Sequence, residues 1–275
     1  MATAPMDPAK GRRLALITGA SSGLGAAFAR AYAAQGLDVV LVARRADRLE
    51  ALAAELCAAH GVEAIAVPAD LSVWEAHALV LKAVADRGRR VDVLVNNAGF
   101  GVPQSYTRVP WERQRDFLMT LVVNACGLAY GVIPDMVEAG WGRIINVGSL
   151  AAFSPGAAGH TLYPAAKSFA VKFTQSLDAE LRDKGVYVTA ICPGFTKTEF
   201  AEASGVQSLM DQAPRRFWQS AEEVVRAAVE ANDRGKVVVV PGLHNQLAAV
   251  LMRYLPESLV GALIRRGAAK YQLRD

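Results

Sequence analysis

The sequence predicts an α/β protein whose core is a doubly wound parallel sheet of about seven strands, of the Rossmann type. Two observations predict this class. Short apolar runs alternate with longer amphipathic stretches along the chain, and the runs are apolar at nearly every position. Strands that are buried on both faces in this way belong to parallel sheets covered by helices. We find no internal repeat and no break in composition, so we predict a single domain.

The boundaries of this domain follow from where the alternation starts and stops. We predict a disordered tail at residues 1–11, the domain itself at 12–242, and an amphipathic helical extension at 243–275. The predicted strands are 13–18, 38–43, 62–67, 92–95, 143–147, 186–192 and 236–240. The predicted helices are 24–35, 45–60, 72–87, two between 111 and 139, 161–184 and 220–233. In the helix at 72–87, Ser72 and Glu75 have the spacing of a capping box.

The C-terminal extension is predicted to form two short helices separated at Pro256. Each has an apolar face, and arginines follow the second. We expect these faces to pack on the same subunit or on a partner subunit. The alternative is contact with a membrane surface, because apolar faces next to basic residues also suit that environment.

Charge and cysteine content limit the classes of partner. The formal net charge is +4 and the arginines form isolated pairs, so no nucleic-acid-binding surface is predicted. Cys57, Cys126 and Cys192 lie within apolar runs, and we predict that they are reduced and structural in a cytoplasmic protein. The N-terminal segment lacks the apolar stretch of a secretory signal. We find no run of about 18 uncharged apolar residues, so no membrane-spanning helix is expected. No metal site is predicted.

A glycine-rich turn joins the first predicted strand to the first helix. It runs from Thr18 to Gly25 with the sequence TGASSGLG. Glycines let a backbone turn tightly and approach a pyrophosphate, and a helix N-terminus offers unpaired N–H groups to an anion. Because a strand precedes the turn and a helix follows it, we predict a dinucleotide site, the alternative being a structural turn. Its candidate cofactor-binding residues are Gly19, Ser21, Ser22, Gly23, Leu24 and Gly25.

The residues after the second strand indicate which dinucleotide is bound. An acidic residue at this place binds the ribose diol of NAD, whereas an arginine accommodates the 2′-phosphate of NADP. Here the strand ends in Ala43-Arg44-Arg45, without a carboxylate. We therefore predict NADP(H), with Arg44 as the main contact to the phosphate and Ser21 assisting it. The alternative is a solvated arginine pair at the start of a helix.

Polar and small residues follow the third and fourth strands. Asp70 and Leu71 come after the third strand, where the carboxylate could take the adenine amino group or cap the next helix, and the sequence leaves both open. The sequence NNAG at 96–99 ends the fourth strand. Small residues there would let a cofactor pass close to the sheet edge, and asparagines would satisfy backbone groups where strands part. The candidate cofactor-binding residues here are Asp70, Leu71, Asn97, Ala98 and Gly99.

The candidate catalytic residues follow the fifth strand. Ser149 lies in a small-residue loop, and Tyr163 and Lys167 are four residues apart on the next helix, so they share one face of it. An adjacent ammonium would lower the pKa of the phenol and make it a usable proton donor. Ser149 would supply a hydroxyl to a substrate oxygen. The alternative is a half-buried tyrosine beside a solvated lysine.

Two residues beside Tyr163 bear on this prediction. Proline is tolerated only in the first turn of a helix, so Pro164 places the helix start near Thr161. His160 could act as a rival acid, although a histidine in a loop is more often solvated.

Taken together, these motifs resemble the short-chain dehydrogenase/reductase family. The resemblance extends over about residues 12–242 and is carried by the glycine turn, the NNAG sequence, Asn124, Ser149, Tyr163-x-x-x-Lys167, and Pro193-Gly194 with Thr196. It implies a nicotinamide cofactor, interconversion of a carbonyl and an alcohol, and a homodimer or homotetramer. It also implies that Tyr163 is the general acid/base, that Lys167 holds the nicotinamide ribose and that Ser149 positions the substrate oxygen.

The resemblance implies roles for four further residues. Asn124 would anchor a water linked to Lys167, whereas the sequence alone favours a structural polar contact for an asparagine in an apolar helix. Pro193, Gly194 and Thr196 would line the cofactor, with Thr196 near its carboxamide.

Apolar residues after Gly194 could form a lid over the site. They are Phe195, Phe200, Leu209, Met210, Phe217 and Trp218. A lid of this kind favours a hydrophobic ketone or a 3-oxoacyl thioester, the alternative being residues that only pack on the core. We therefore expect an NADP(H)-dependent oxidoreductase that interconverts a ketone or 3-oxoacyl group and a secondary alcohol. The alternative is a cofactor-binding regulatory protein with little or no turnover.

Overall fold

The computed structural model describes residues 11–156, 159, 161–200, 204, 214–256 and 258–261. At its centre is a parallel sheet of seven strands in the order β3-β2-β1-β4-β5-β6-β7. The strands are β1 (Leu14–Thr18), β2 (Asp38–Ala43), β3 (Ala64–Pro68), β4 (Val93–Asn96), β5 (Gly142–Val147), β6 (Val186–Ile191) and β7 (Val238–Val239). The predicted doubly wound parallel sheet is confirmed.

Helices cover both faces of the sheet. They are α1 (Gly23–Ala34), α2 (Ala46–His60), α3 (Ala76–Ala85), α4 (Trp111–Leu118), α5 (Asn124–Glu138), α6 (Leu162–Leu181), α7 (Ala221–Asp233) and α8 (Leu243–Tyr254). Residues of α1, α2 and α7 form one buried apolar cluster with the sheet, which includes Phe28, Leu49 and Val224. Residues of α3, α5 and α6 form a second cluster on the opposite face, which includes Val80 and Leu128. Burial on both faces explains why the strands are apolar at nearly every position.

The start of α3 differs from the sequence prediction. The helix begins at Ala76 rather than at Ser72, and Glu75 has a left-handed backbone, with φ of 58°. The backbone N–H and hydroxyl of Ser72 both donate to Asp70 Oδ1, at 2.9 and 2.8 Å. Ser72 therefore closes a turn with Asp70 instead of capping a helix, and the predicted capping box is wrong. A capping box does form at the start of α7, between Ser220 and Glu223.

The two helices predicted between residues 111 and 139 form one nearly continuous run. A π-helical turn at Met119–Val123 joins α4 to α5. Trp111–Glu138 is long and apolar enough to cross a membrane, which contradicts our sequence-based statement that no such stretch exists. Yet 44% of its most apolar 18-residue window is buried inside the protein, and Phe117 and Leu128 have no exposed surface. We interpret it as a core helix of the domain.

The strand order places a crevice at the carboxyl ends of β1 and β4. β1 pairs with β2 on one side and with β4 on the other, so the chain leaves β1 in one direction and later returns to its opposite side. In open parallel sheets, ligands bind outside the carboxyl ends of the strands at such a reversal. The glycine turn follows β1 and the NNAG sequence follows β4, and the topology therefore brings these two motifs to the same edge.

Candidate active site

The glycine turn is held in a shape that larger residues could not adopt. Gly19 has φ of +67°, and a Cβ there would lie 2.7 Å from the side-chain nitrogen of Asn97. A Cβ at Gly25 would overlap the carbonyl oxygen of Gly19. Gly23 has φ of +54° and faces Thr198. Each of the three glycines thus either has a left-handed backbone or allows two backbone segments to approach closely. A turn that binds phosphate groups requires both features.

Substitution of Gly25 by alanine should open this turn. We expect Gly25→Ala to weaken NADPH binding at least about tenfold and to lower the melting temperature, because the new methyl group must displace the Gly19 carbonyl. Gly156→Ala is the control, since no atom of the described residues lies within 4 Å of a Cβ at that position and no positive φ is involved. Calorimetric titration with NADPH and thermal unfolding measure both effects. Wild-type binding by Gly25→Ala would contradict this account of the turn.

Hydrogen bonds from Asn97 and Thr18 join the ends of β1 and β4. Asn97 Nδ2 donates to the carbonyl oxygen of Thr18 at 2.8 Å, and the backbone N–H groups of Asn97 and Ala98 donate to Thr18 Oγ1 at 2.9 and 3.0 Å. Asn97 thereby satisfies backbone groups where the strands part, as predicted. The role of Thr18 was missed. Its position as the first residue of the glycine motif was the available signal.

The two arginines after β2 have different contacts from those predicted. Arg44 is exposed, and the described residues give it no hydrogen bond or ion pair. Arg45, which precedes α2, bends back over the glycine turn and donates to Ser21 Oγ and Ser22 Oγ, each at 2.9 Å from Nη2. Ser21 therefore contacts Arg45 rather than Arg44. Arg44 remains free to bind a phosphate at the end of β2, and Arg45 was not among the predicted residues.

Asp70 and Leu71 lie at the carboxyl end of β3. Leu71 is buried, whereas Asp70 is exposed and accepts hydrogen bonds from Ser72. Of the two open interpretations of Asp70, a cap at the start of α3 is excluded, because α3 begins at Ala76. Contact with adenine stays a prediction.

Ser149, Tyr163 and Lys167 meet at the carboxyl end of β5. Ser149 Oγ accepts a hydrogen bond from the backbone N–H of Ala151 at 3.1 Å, and the Ser149 side chain is also hydrogen-bonded to Tyr163. Lys167 Nζ lies 5.7 Å from the centroid of the Tyr163 ring and donates to the carbonyl oxygen of Val147 at 2.7 Å. The tyrosine is half-buried. The structure thus brings the three predicted groups together with the hydroxyls of Ser149 and Tyr163 in direct contact.

Burial reverses the predicted shift in the Tyr163 pKa. Desolvation raises the pKa of Tyr163 above its ordinary value, and the hydrogen bond from Ser149 only partly opposes it. Desolvation also lowers the pKa of Lys167 to about 8, so this residue is a buried cation rather than a solvated one. The expected lowering of the phenol pKa by Lys167 is therefore not seen in the protein alone. Desolvation is the larger effect here because Lys167 is buried and the half-buried Tyr163 packs against apolar side chains.

Asn124, at the start of α5, uses its whole side chain in structural contacts. Asn124 Oδ1 accepts from the backbone N–H of His77 at 2.9 Å and contacts His77 Nδ1 at 2.8 Å. Its amide donates to the carbonyl oxygens of Leu71 and Val73, both at 2.9 Å. An amide side chain offers two donors and one oxygen with two lone pairs. The side-chain contacts of Asn124 are therefore those of the structural alternative, and the anchoring of a water linked to Lys167 by this residue stays a prediction.

A small cavity of about 30 Å³ lies beneath Lys167, between the sheet and α6. It is large enough for one water, and Lys167, Asn96, Asn146 and Thr120 are among the residues that line it, whereas Asn124 is not. The Asn96 amide donates to Asn146 Oδ1 at 3.0 Å, while the buried Asn96 Oδ1 finds no hydrogen-bond partner among the described residues. Asn96 is therefore a further candidate to bind a water in this cavity.

The segment after β6 is anchored on both sides of the predicted cofactor residues. Pro193 accepts a hydrogen bond from the backbone N–H of Leu150 at 2.9 Å, which ties it to the loop of Ser149. A Cβ at Gly194 would overlap the side chain of Asn245, a buried residue of α8. Thr196 is buried, and its hydroxyl donates to the carbonyl oxygen of Gly194 at 3.2 Å. The contact of Thr196 with a carboxamide stays a prediction.

Apolar residues surround Tyr163 on its open side. The ring of Phe200 lies 6.0 Å from that of Tyr163, centroid to centroid. Phe117 and Leu121 belong to the apolar cluster against which Tyr163 packs. Three other residues of the predicted lid make aromatic contacts: Phe195 lies 5.7 Å from Trp218, and Phe217 lies 5.4 Å from His244 of α8. The predicted residues His160, Leu209 and Met210 lie outside the described residues.

Comparison with known proteins identifies the family. The model of the short chain dehydrogenase family matches residues 13–208 of the chain. The protein belongs to the short-chain dehydrogenase/reductase family. It is 35% identical over 254 residues to an uncharacterized oxidoreductase of Myxococcus xanthus, and the aligned region covers 92% of this chain and 97% of that one. It is also 35% identical to a 3-oxoacyl-[acyl-carrier-protein] reductase of Synechocystis, over 77% of this chain and 85% of that one.

A solved member of the family has the same fold over nearly the whole chain. The short-chain dehydrogenase from Sphingobium yanoikuyae, determined in complex with NADPH, is 34% identical and superposes with a TM-score of 0.77. The match covers 96% of this chain and 97% of that one. Membership of the family means that this chain is an oxidoreductase with a nicotinamide cofactor.

The residues of the crevice fit such a cofactor. Gly19 and Gly25 hold the glycine turn in a shape that side chains would block, and α1 begins within this turn, at Gly23. Arg44 is exposed at the end of β2. These residues would hold a pyrophosphate and a ribose phosphate, which are the anionic parts of a nicotinamide dinucleotide.

Proposed function

We propose that the protein is an NADP(H)-dependent oxidoreductase that interconverts an apolar ketone or 3-oxoacyl group and a secondary alcohol. The contact between the hydroxyls of Ser149 and Tyr163, with Lys167 beside the phenol, is the observation that carries this proposal. Three such groups at the carboxyl edge of the sheet can hold a carbonyl oxygen and exchange a proton with it. The bound cofactor supplies the hydride.

The proton is handled by Tyr163. As negative charge develops on a carbonyl oxygen, the Ser149 hydroxyl can donate a hydrogen bond to it and the Tyr163 hydroxyl can transfer its proton. A raised phenol pKa keeps this proton in place before the reaction. Lys167 carries a positive charge below about pH 8 and stabilises the phenolate that remains.

The preference for NADP(H) rests on Arg44. We expect Arg44→Ala to weaken NADPH binding about 10- to 100-fold, because a charge-assisted hydrogen bond to the 2′-phosphate is lost, while NADH binding stays within twofold. Arg30→Ala is the control, since Arg30 pairs with Glu55 on the surface. Dissociation constants for both cofactors measure the effect. A wild-type protein that binds NADH more tightly than NADPH would refute the assignment.

An apolar substrate is supported by the surroundings of Tyr163. Phe200 contacts its ring, and Phe117 and Leu121 form the neighbouring apolar cluster. A 3-oxoacyl reductase among the relatives acts on a substrate with an acyl chain. Oxidation of NADPH in the presence of ketone, aldehyde and acyl-thioester panels tests this, with NADH as the control. Faster turnover of small polar ketones than of apolar ones would count against the apolar assignment.

A regulatory protein that binds the cofactor without turnover is the second candidate. Ser149, Tyr163 and Lys167 are all present, with Ser149 hydrogen-bonded to Tyr163 and Lys167 Nζ 5.7 Å from the centroid of its ring, which argues against it. NADPH binding without turnover across the whole panel would favour it. We further propose a cytoplasmic homodimer or homotetramer, on the basis of the family and of three free cysteines; light scattering of the purified protein tests the assembly.

A further inference from the structure

Arg45 and Arg48 form a cationic patch at the edge of the glycine turn. Both belong to the first turn region of α2, and Arg45 also holds the hydroxyls of Ser21 and Ser22. A guanidinium group binds a phosphate or a carboxylate through several parallel hydrogen bonds. The patch therefore suits the same class of anion that the turn after β2 is predicted to receive.

The anion that this patch holds in the structure is the side chain of Glu199. Arg48 Nη1 lies 2.8 Å from each of its carboxylate oxygens, and Arg45 Nη1 lies 3.2 Å from Oε2. These hydrogen bonds, from Arg48 first and from Arg45 second, hold the pKa of Glu199 below its ordinary value. Glu199 is more than 150 residues away in sequence, so only the fold brings it here.

The residues next to Glu199 connect the patch to the catalytic residues. Thr198 lies against the glycine turn, because a Cβ added at Gly23 would be 3.0 Å from the Cβ of Thr198. Phe200, on the other side, packs on the ring of Tyr163. The short segment Thr198 to Phe200 thus spans from the glycine turn to the proton donor, and the ion pairs of Glu199 hold its middle residue.

We propose that Glu199 is a specificity-determining residue, an internal anion that competes with the 2′-phosphate of the cofactor for Arg45 and Arg48. Binding of NADP(H) would displace the carboxylate and release the segment at Glu199, whereas NAD(H) has no 2′-phosphate to do so. The inference rests on the proposed NADP(H) specificity. Two like charges cannot share two guanidinium groups without repulsion, so the carboxylate lowers the affinity for the phosphate.

The test uses ligands that carry the adenosine part of the cofactor alone. Adenosine 2′,5′-bisphosphate and adenosine 5′-monophosphate differ only in the 2′-phosphate, which the monophosphate lacks. We expect Glu199→Gln to bind the bisphosphate roughly 3- to 10-fold more tightly than the wild type by calorimetry, as loss of weak exposed ion pairs allows. Affinity for the monophosphate should stay within twofold.

Glu55→Gln is the matched control. Glu55 pairs with Arg30 through two hydrogen bonds, at 2.7 and 2.9 Å, and its side chain is about as exposed as that of Glu199, 47% against 46%. It lies on α2, and its partner lies on α1. We expect Glu55→Gln to leave both affinities unchanged, because this ion pair does not involve the arginine patch.

A second readout follows the segment itself. Lys197 is exposed and stands two residues before Glu199, so trypsin cleavage after Lys197 reports on whether the segment is held. Glu199→Gln should be cleaved faster than the wild type and Glu55→Gln. Equal cleavage rates in all three proteins would overturn the proposed link between the ion pairs and the segment.

The outcomes separate this inference from the cofactor assignment. A wild type that binds the bisphosphate more tightly than the monophosphate, with no gain in Glu199→Gln, overturns the competition alone. A loss of affinity in Glu199→Gln does the same, because it would mean that the carboxylate orients the arginines for the phosphate. A wild type that binds the monophosphate at least as tightly as the bisphosphate overturns the NADP(H) assignment, and the competition with it.

Discussion

Replacement of Tyr163 by phenylalanine should lower kcat about 10²- to 10⁴-fold, the contribution of a positioned general acid, while NADPH binds within about threefold of the wild-type affinity. The substitution removes a hydroxyl that is hydrogen-bonded to Ser149 and lies beside Lys167. The ring that packs against Phe200 remains. Steady-state rates on the best substrate of the panel, together with a calorimetric Kd, separate loss of chemistry from loss of binding.

Tyr130→Phe is the control for this substitution. Tyr130 lies on α5, and 84% of it is exposed, so removal of its hydroxyl should change neither kcat nor Kd. If Tyr163→Phe retained a wild-type rate, another group would have to donate the proton, and the assignment of Tyr163 as general acid would be wrong.

Replacement of Lys167 by methionine should abolish most turnover and yet stabilise the fold near neutral pH. Burial lowers the pKa of Lys167 from 10.5 to about 8, which corresponds to a cost of about 3 kcal/mol while the lysine is charged in both folded and unfolded states. Methionine has a similar shape without the charge, but it leaves the Val147 carbonyl oxygen without its donor, at a cost of about 1 kcal/mol. The net gain expected is about 1 to 2 kcal/mol.

The size of this gain in stability depends on pH. Below about pH 8 the lysine is charged in both states, and the folded wild type bears the full desolvation cost. Between pH 8 and 10.5 the unfolded chain binds more protons than the folded one, so wild-type stability rises with pH. The advantage of Lys167→Met should therefore shrink across this range and disappear above it. Urea unfolding at pH 7 and pH 10 measures the difference; a variant less stable than wild type at pH 7 would show that the ammonium is not a net cost.

The sequence indicated the fold class because its information is local and periodic. Apolar runs of strand length that alternate with amphipathic stretches predict a covered parallel sheet, and the strand bounds agree with the structure within two residues. The glycine turn and the spacing of Tyr163 and Lys167 were equally visible, because each motif depends on neighbours in the chain. The start of α3 was missed because Ser72 bonds to Asp70 rather than to the helix.

Only the tertiary structure decided what depends on residues that are distant in sequence. It paired Ser21 with Arg45 instead of Arg44, and brought Glu199 to Arg45 and Arg48. It also showed that the side chain of Asn124 makes hydrogen bonds to His77 and Leu71, in and before α3. It also determined the direction of the Tyr163 pKa, since desolvation depends on packing from several elements. The sequence by itself therefore determined the fold class and the catalytic candidates, while burial and long-range contacts determined how those groups are paired and charged.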